Sequence, residues 1–303
     1  MKIALLSGGV GGARFARGLQ AVLEPGELTV IGNVGDDVEV LGLHVSPDLD
    51  SILYTLADLN DEERGWGRAG ETWNALAAAG SWGGEDWFRL GDLDIGLHLV
   101  RTQALRAGEA LSSVTARLAA AAGLATRIVP ATDDQLRTHV VTPAGTFGFQ
   151  EWFVGRGHRD EVDDVVFVGA DAAEPAPGVL DALAAADAIV IAPSNPYVSI
   201  EPILAVAAIR SALAARSVRC VAVSPLVGGR AVKGPADRML SRMAGGTTPR
   251  HVAERYHGLI DALVIDDSDA PFEAGVATVA TATLMTDLAA ARRLAEATLE
   301  AAT

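Results

Sequence analysis

Short apolar runs alternate with longer amphipathic stretches along most of this chain. The short runs predict strands buried on both faces of a sheet, and the longer stretches predict helices. The predicted strands are KIALL (2–6), ELTVIGN (27–33), DVVFVGA (164–170), DAIVIAP (187–193), VRCVAVS (218–224) and DALVID (261–266). The predicted helices are at about 12–23, 47–59, 108–124, 199–217 and 287–302. This alternation predicts an α/β fold with a Rossmann-like, mainly parallel sheet.

One part of the chain departs from this alternation. The strand-like runs at 126–134 and 137–154 follow each other without a long helix between them, which predicts a hairpin. We therefore predict a single α/β domain over residues 1–303. Residues 60–160, roughly, form a smaller inserted helical and hairpin segment within it.

Composition narrows the class of protein. Of the 303 residues, 50% are hydrophobic and 21% are charged, which is typical of a globular chain. The formal charge of −15 argues against a broad basic surface for nucleic acid. The single cysteine, Cys220, excludes an internal disulfide and a cysteine-based zinc site. The sequence shows neither a signal-peptide pattern nor an apolar run near the ~20 residues of a membrane span. We predict a cytoplasmic protein that binds neither nucleic acid nor membranes.

A glycine-rich stretch, SGGVGGAR, follows the first predicted strand and opens a helix. Such a turn places backbone N–H groups and a helix N-terminus at the carboxyl edge of the sheet, where a phosphate can approach closely. Gly9, Gly11 and Gly12 are the candidate binding positions, and Arg14 is placed to meet an anion. The stretch fits neither common nucleotide motif, because Arg14 stands where the third dinucleotide-binding glycine is needed and a Walker Lys–Ser/Thr pair is missing. The alternative is that the glycines only permit a tight turn.

Four aspartates follow in the stretch NVGDDVEVLGLHVSPDLDS. Asp36 and Asp37 come directly after the second strand, and Asp48 and Asp50 begin the next helix. Carboxylates suit Mg²⁺, which proteins usually hold with one or two carboxylates plus phosphates and water. We predict Asp36 and Asp50 as the magnesium ligands, with Asp48 as an open alternative to Asp50. Asp36 in a solvated turn and Asp48 as an ordinary helix-start carboxylate are the simpler explanations.

Two later strand ends carry further loops of this kind, PSNP after 187–193 and VGGRAVK after 218–224. Carboxyl ends of parallel strands meet at one edge of a sheet, so these loops are expected near the glycine stretch. Each loop alone is also compatible with ordinary turn chemistry. The candidate nucleotide-binding residues are Ser194, Asn195, Pro196, Gly228, Gly229 and Lys233.

Taken together, the motifs resemble one family. They are GGVGGAR, NVGDD, PDLDSILYTL, RLGDLDIGLHLVRTQAL, FQEWFV, APSNPYVSIEPIL and SPLVGGRAVKGPADRML. In this order, and over nearly the whole chain, they are similar to the 2-phospho-L-lactate transferase family (CofD, called FbiA in some bacteria).

The resemblance implies an activity in the biosynthesis of coenzyme F-420. These enzymes are Mg²⁺-dependent homodimers that transfer a phospho-lactyl, phospho-enolpyruvyl or related group from a guanosine diphosphate-activated donor to the deazaflavin precursor Fo, releasing GMP. It also implies that residues 194–196 and 228–233 bind the guanosine nucleotide. The catalytic residues implied are Asp36, Asp37 and Arg14, and those near the Fo pocket are Asp92, His98, Arg101, Asp134 and Arg137. A lone histidine such as His98 is more often structural. The donor's acid group stays open, with the high-GC residue bias favouring enolpyruvyl.

Two other functions compete with this one. Regulators of the gluconeogenesis-factor type, which bind nucleotide-sugars without catalysis, also combine a glycine-rich loop with Asp-Asp after a strand. Their Asp-Asp precedes a Gly-Ser-rich run, whereas DDVEVLGLH occurs here. A nicotinamide-dependent dehydrogenase is disfavoured by Arg14 in place of the third glycine.

Overall fold

A seven-stranded parallel sheet forms the centre of the protein, as a computed structural model describes it for residues 1–272 and 274–303. Its strands are, in spatial order, β14 (Ala277–Thr281), β13 (Ala262–Asp266), β10 (Cys220–Val223), β9 (Ala188–Ile191), β1 (Ile3–Ser7), β2 (Leu28–Gly32) and β5 (Arg127–Pro130). Every neighbouring pair is parallel. Ile3 of β1 pairs with Leu28 on one side and with Ala188 on the other. The predicted α/β fold with a mainly parallel sheet is confirmed.

Helices cover both faces of this sheet. The helices of the described residues are α1 (Gly9–Gln20), α2 (Pro47–Leu56), α3 (Asn74–Ser81), α4 (Asp92–Arg106), α5 (Leu111–Ala121), α6 (Val179–Ala185), α7 (Glu201–Ala205), α8 (Ala207–Ala214), α9 (Ala236–Ala244), α10 (Pro249–Arg255) and α11 (Leu288–Ala301); α3 packs on α4 and not on the sheet. Because side chains alternate along a strand, Leu5 belongs to the core under α1, α2 and α11, and Leu6 to the core under α6–α10. On the first face α1 packs directly on α11. A Cβ added to Gly18 would lie 2.4 Å from the carbonyl oxygen of Ala291.

Smaller antiparallel sheets lie outside the central one. A three-stranded sheet contains β6 (Arg137–Thr142), flanked by β7 (Gly145–Gly148) and β8 (Asp164–Val168). Two hairpins consist of β3 (Val38–Val40) with β4 (Leu43–Val45), and β11 (Leu226–Val227) with β12 (Arg230–Ala231). A hairpin is present, β6–β7, but it lies within the second of the two runs from which it was predicted; the first run is β5 of the central sheet. The predicted inserted segment, 60–160, does not lie wholly outside the central sheet, because it contains β5, an edge strand of that sheet.

Three sequence-based details were wrong. The strand at 164–170 is β8, which pairs antiparallel with β6 instead of joining the parallel sheet. The glycine-rich helix begins at Gly9, three residues earlier than expected. The single helix over 199–217 is two short helices, α7 and α8, bent by 93° where Val206 takes an extended conformation.

Within the residues that the structure describes, no single helix has the length and apolar character needed to cross a membrane. The bent stretch from Pro196 to Ala214 meets those two criteria when its parts are combined. Its side chains Ile203, Leu204 and Ile209 are buried in the core.

Candidate active site

The carboxyl ends of β1 and β9 mark the point where the strand order reverses. From β1 the chain proceeds outward to β2 and β5 on one side, and β9 resumes the sheet on the other. In open parallel sheets ligands bind at such a switch point. Here the loop after β1 meets the loop after β9, and Ser194 Oγ donates a 2.7 Å hydrogen bond to the carbonyl of Gly8.

The glycines after β1 are needed for close packing. A Cβ on Gly12 would lie 2.4 Å from Ser7 Oγ and 2.7 Å from Ser194 Oγ. A Cβ on Gly11 would lie 2.9 Å from the carbonyl of Pro193. Gly9 has φ +67°, a conformation that favours glycine. Close packing and backbone conformation therefore explain why glycine occupies these positions. Contact of these glycines with a phosphate stays a prediction.

Asp48 lies against the start of α1. Its Oδ2 accepts a 2.9 Å hydrogen bond from Asn33 Nδ2, and a Cβ on Gly8 would lie 2.6 Å from that same oxygen. Burial raises the pKa of Asp48 to about 6, although the Asn33 amide and the backbone of Gly9 favour the ionised form. An anionic side chain thus stands beside a helix N-terminus and comes close to the other carboxylates.

Asp36 and Asp37 are also buried, with 5% and 4% of their surface exposed. Burial, and next the negative charge of Asp48, raise the pKa of Asp36 well above its usual value. Among the described residues, the Oδ1 atoms of Asp36 and Asp37 are buried without a hydrogen-bond partner. Asp37 Oδ2 accepts from Ser46 Oγ at 3.0 Å and lies 2.9 Å from His44 Nε2. Buried, unpartnered carboxylate oxygens are costly, so this group of side chains is suited to a cation.

Asp50 has a different hydrogen-bond partner from Asp48. Its carboxylate accepts from both terminal nitrogens of Arg101, with Nη1 at 3.0 Å from Oδ2. His98 Nδ1 lies 3.3 Å from the same guanidinium, and burial lowers the pKa of His98 to about 4, so that it is neutral at pH 7. His98 and Arg101, which the resemblance places near the Fo pocket, are each 1% exposed. Asp50 is therefore paired with Arg101, whereas the charge of Asp48 acts on Asp36; which of these aspartates bind Mg²⁺ stays a prediction.

Two cations lie near the start of α1. Arg14 is half-buried on α1, and Lys233 Nζ donates a 3.0 Å hydrogen bond to the carbonyl of Gly65. Burial and the positive charge of Arg14 lower the pKa of Lys233. In the described ranges, 1–272 and 274–303, neither side chain forms an ion pair with a carboxylate. The two charges are therefore available to an anionic ligand.

The space beside Arg14 is small. A cavity of about 10 Å³, room for about one water molecule, is lined by Arg14, Tyr54, Trp66 and their neighbours. The segment 58–70 lines one side of it, and Lys233 binds that segment at the carbonyl of Gly65.

The loop at 228–229 does not present free donors. The backbone N–H groups of Gly228 and Gly229 donate to the Asp269 carboxylate at 3.1 and 2.8 Å. An internal carboxylate therefore occupies two donors of the loop that the resemblance assigns to the guanosine nucleotide. This contact fixes the hairpin that carries Lys233.

Several other predicted residues serve local structure. Asp92 accepts from Thr72 and from the first backbone N–H groups of α3. Asn195 accepts from the backbone N–H of Tyr197 at 3.0 Å, in the turn that begins at Pro196. Asp134 accepts from the backbone of Glu174, and Arg137 donates to the backbone of Leu136. None of these contacts contradicts substrate binding, but each explains the residue without it.

Sequence reasoning missed the groups that support the aspartates. His44 and Ser46 hold Asp37, and Asn33 holds Asp48. The sequence did hint at these supporting residues, because all three are polar and belong to the same short stretch, 33–51, as the aspartates. Polar type alone does not distinguish a supporting residue from a solvent-exposed one.

The residues present fit a magnesium ion held partly by its substrate. Among the described residues, no group of three or more His, Cys, Asp or Glu side chains is arranged to hold a metal alone. Mg²⁺ commonly uses one or two carboxylates and completes its shell with phosphate oxygens and water. Asp36, with its unpartnered Oδ1, and the adjacent Asp48 meet that requirement.

Known proteins resemble this chain over most of its length. The family model described as 2-phospho-L-lactate transferase CofD matches residues 3–299. Phosphoenolpyruvate transferase of Kitasatospora aureofaciens is 46% identical over 311 residues, covering 99% of this chain and 97% of that protein. The protein of the same name from Streptomyces griseus is 44% identical, covering 100% and 98%, and that from Thermobifida fusca is 45% identical, covering 89% and 88%.

Solved structures resemble the fold over its whole length. Two structures of a UPF0052 family protein, BH3568 of Bacillus halodurans, superpose with a TM-score of 0.66 at 17% and 18% identity. They cover 98% of this chain and 98–99% of the other. By the family match and the curated relatives, this chain is a transferase and belongs to the 2-phospho-L-lactate transferase family, CofD.

Proposed function

We propose that this enzyme transfers a phospho-enolpyruvyl group from a guanosine diphosphate-activated donor to the deazaflavin precursor Fo, releasing GMP, in coenzyme F-420 biosynthesis. The name phosphoenolpyruvate transferase, carried by relatives at 41–46% identity, supports enolpyruvyl over lactyl. The homodimer and the cytoplasmic location implied by the sequence stay predictions.

One observation carries the proposal: within the described ranges, two cations without a carboxylate partner and two carboxylates with an unpartnered oxygen lie near the start of α1. Among the described residues Arg14 and Lys233 have no carboxylate partner, so both would bind diphosphate oxygens, Lys233 in addition to or in place of its contact with the Gly65 carbonyl. The helix N-terminus adds its own preference for anions. Asp36 and Asp48 would hold Mg²⁺. When bound there, the ion neutralises charge on the diphosphate. This pairing is what a net-negative protein needs to bind a polyanion.

The reaction exchanges one phosphorus–oxygen bond for another. The terminal ribityl hydroxyl of Fo attacks the phosphorus that bears the enolpyruvyl group, and the bond from that phosphorus to the bridging oxygen breaks. GMP leaves with the bridging oxygen. Asp37 accepts the hydroxyl proton on Oδ1, since its Oδ2 is held by Ser46 and His44. Such transfer depends mainly on positioning and charge stabilisation.

A product assay tests the proposal directly. The enzyme is mixed with Fo, Mg²⁺ and each guanylylated donor (lactyl, enolpyruvyl and glyceryl), and the products are weighed by mass spectrometry. We expect the enolpyruvyl product and GMP in equal amounts. Binding of a UDP-sugar with no turnover of Fo would instead favour the non-catalytic regulator.

Asp36→Asn tests the site. Loss of a carboxylate that serves the transition state is expected to reduce kcat by about 100-fold or more, by analogy with single electrostatic groups. Asp181→Asn, on the exposed side of α6, is the matched control and should retain full activity. Near-normal turnover by Asp36→Asn would exclude its catalytic and metal roles.

A further inference from the structure

Arg101 is a buried cation that belongs to the inserted segment. It lies on α4, is 1% exposed, and directs both terminal nitrogens at Asp50 of α2. It is not among the residues that line the cavity beside Arg14. A buried guanidinium is costly unless paired, so this contact constrains both helices.

A second buried contact joins the same two helices. Tyr54 on α2 donates a 2.6 Å hydrogen bond to Asp94 on α4. The two links are one turn apart along α2, at Asp50 and Tyr54, and two turns apart along α4, at Asp94 and Arg101. Helix α4 therefore fixes both the position and the rotation of the first turns of α2.

The first turn of α2 also carries Asp48. Asp48 fits a narrow space, with Asn33 at 2.9 Å and a hypothetical Gly8 Cβ at 2.6 Å from its Oδ2. A small rotation of α2 would move this carboxylate away from Asp36. The position of the proposed magnesium ligand thus depends on a residue that does not reach the ion.

We propose that Arg101 is a positioning residue for the metal site: through its ion pair with Asp50 it holds Asp48 in place beside Asp36. Magnesium affinity depends on the Arg101–Asp50 pair, although neither residue is a ligand. This inference rests on the proposed function, because it assumes that Asp36 and Asp48 hold Mg²⁺. It gives Arg101 a role other than contact with Fo.

Calorimetric titration of the purified enzyme with Mg²⁺ at a fixed, saturating concentration of GDP, corrected for Mg²⁺ bound by free GDP, tests this role, because phosphate oxygens complete the proposed site. Arg101→Met and Asp50→Asn are each expected to weaken Mg²⁺ binding about 10-fold or more, the usual effect of losing an outer-shell partner. The double variant should be no weaker than either single one, because all three break the same ion pair. Arg101→Lys, which keeps the charge but not the forked geometry, should recover part of the affinity. Arg117→Met, on the exposed side of α5, is the control and should bind as the wild type does.

The outcomes separate the alternatives. Wild-type affinity in a cooperatively folded Arg101→Met protein, or in the double variant, overturns the inference. Loss of binding in Asp50→Asn but not in Arg101→Met makes Asp50 a ligand and also overturns it. If Arg101→Met does not fold, the double variant, which leaves no buried charge unpaired, decides. A wild-type enzyme that binds no Mg²⁺ overturns the metal part of the proposed function as well, so the two failures are distinguishable.

Discussion

Replacing Gly8 by alanine tests the contact between the glycine loop and Asp48. Gly8 has an extended backbone, φ −151° and ψ 162°, which alanine also adopts, so the substitution causes no backbone strain. Its new Cβ would lie 2.6 Å from Asp48 Oδ2 and 2.9 Å from both Cβ and O of Ser199. Because two of these three atoms are not at the end of a flexible side chain, the backbone near β1 must shift.

The expected cost follows from overpacking. One methyl group forced into a filled site destabilises a protein by about 1–3 kcal/mol. At about 2 °C per kcal/mol for a chain of this size, Gly8→Ala should lower Tm by about 2–6 °C. Displacement of Asp48 should also weaken Mg²⁺ binding.

Gly96→Ala is the matched control. Gly96 lies on the exposed side of α4, where an added Cβ meets nothing within 4 Å. Alanine is the better helix former, so this variant should gain about 0.5–1 kcal/mol. Urea unfolding followed by tryptophan fluorescence compares the two with the wild type. Equal stability and equal Mg²⁺ affinity in Gly8→Ala would refute the described packing of Asp48 on the loop.

Two further predictions concern the segment around the site. Hydrogen bonds from Thr72 and the start of α3 lower the pKa of Asp92 to about 2. The ionised Asp92 carboxylate therefore stabilises the folded protein at pH values above about 4, the pKa of Asp in the unfolded chain, and this stabilisation is lost as the pH falls toward 2. The Tm difference between wild type and Asp92→Asn should be constant above about pH 5 and shrink below pH 4; a difference that widens in acid contradicts this. Lys233→Met should speed hydrogen exchange in peptide 58–72 about 5-fold, the equivalent of one hydrogen bond of about 1 kcal/mol. Arg230→Met, exposed on the same hairpin, should leave that exchange unchanged, and equal rates in both variants would mean that Lys233 does not fasten the segment.

The sequence pattern predicted which segments form strands better than it predicted where the elements begin and end and which strands pair. Continuous apolar runs identified β1, β2, β9, β10 and β13, because a strand covered on both faces has no polar side. The run at β8 has the same composition, yet it joins a different sheet. Its pairing with β6 depends on contacts that local composition does not encode.

The sequence identified which residue types form the candidate site, but not which partner each of them contacts. The aspartates and the glycine run were identified, whereas the distinction between Asp48 and Asp50 depends on which one Arg101 reaches. Arg101 is about 50 positions away in sequence, so its partner could not be inferred from spacing. Likewise the donors of Gly228 and Gly229 were assigned to a ligand, because the position of Asp269 beside them is a tertiary contact.

The position of β1 in the middle of the sheet has a consequence for folding kinetics. Ile3 pairs with Ala188, and α1 is covered by Ala291 of α11, so the loop after β1 is held by parts of the chain far away in sequence. Closing such long loops is slow, and these contacts contribute nothing until both ends have met. An amino-terminal fragment ending at β5 would contain every aspartate of the site and still lack β9 and α11, which hold the glycine loop beside Asp48. Recovery of Mg²⁺ binding during refolding should therefore coincide with the last, global phase, and not with the early formation of helices.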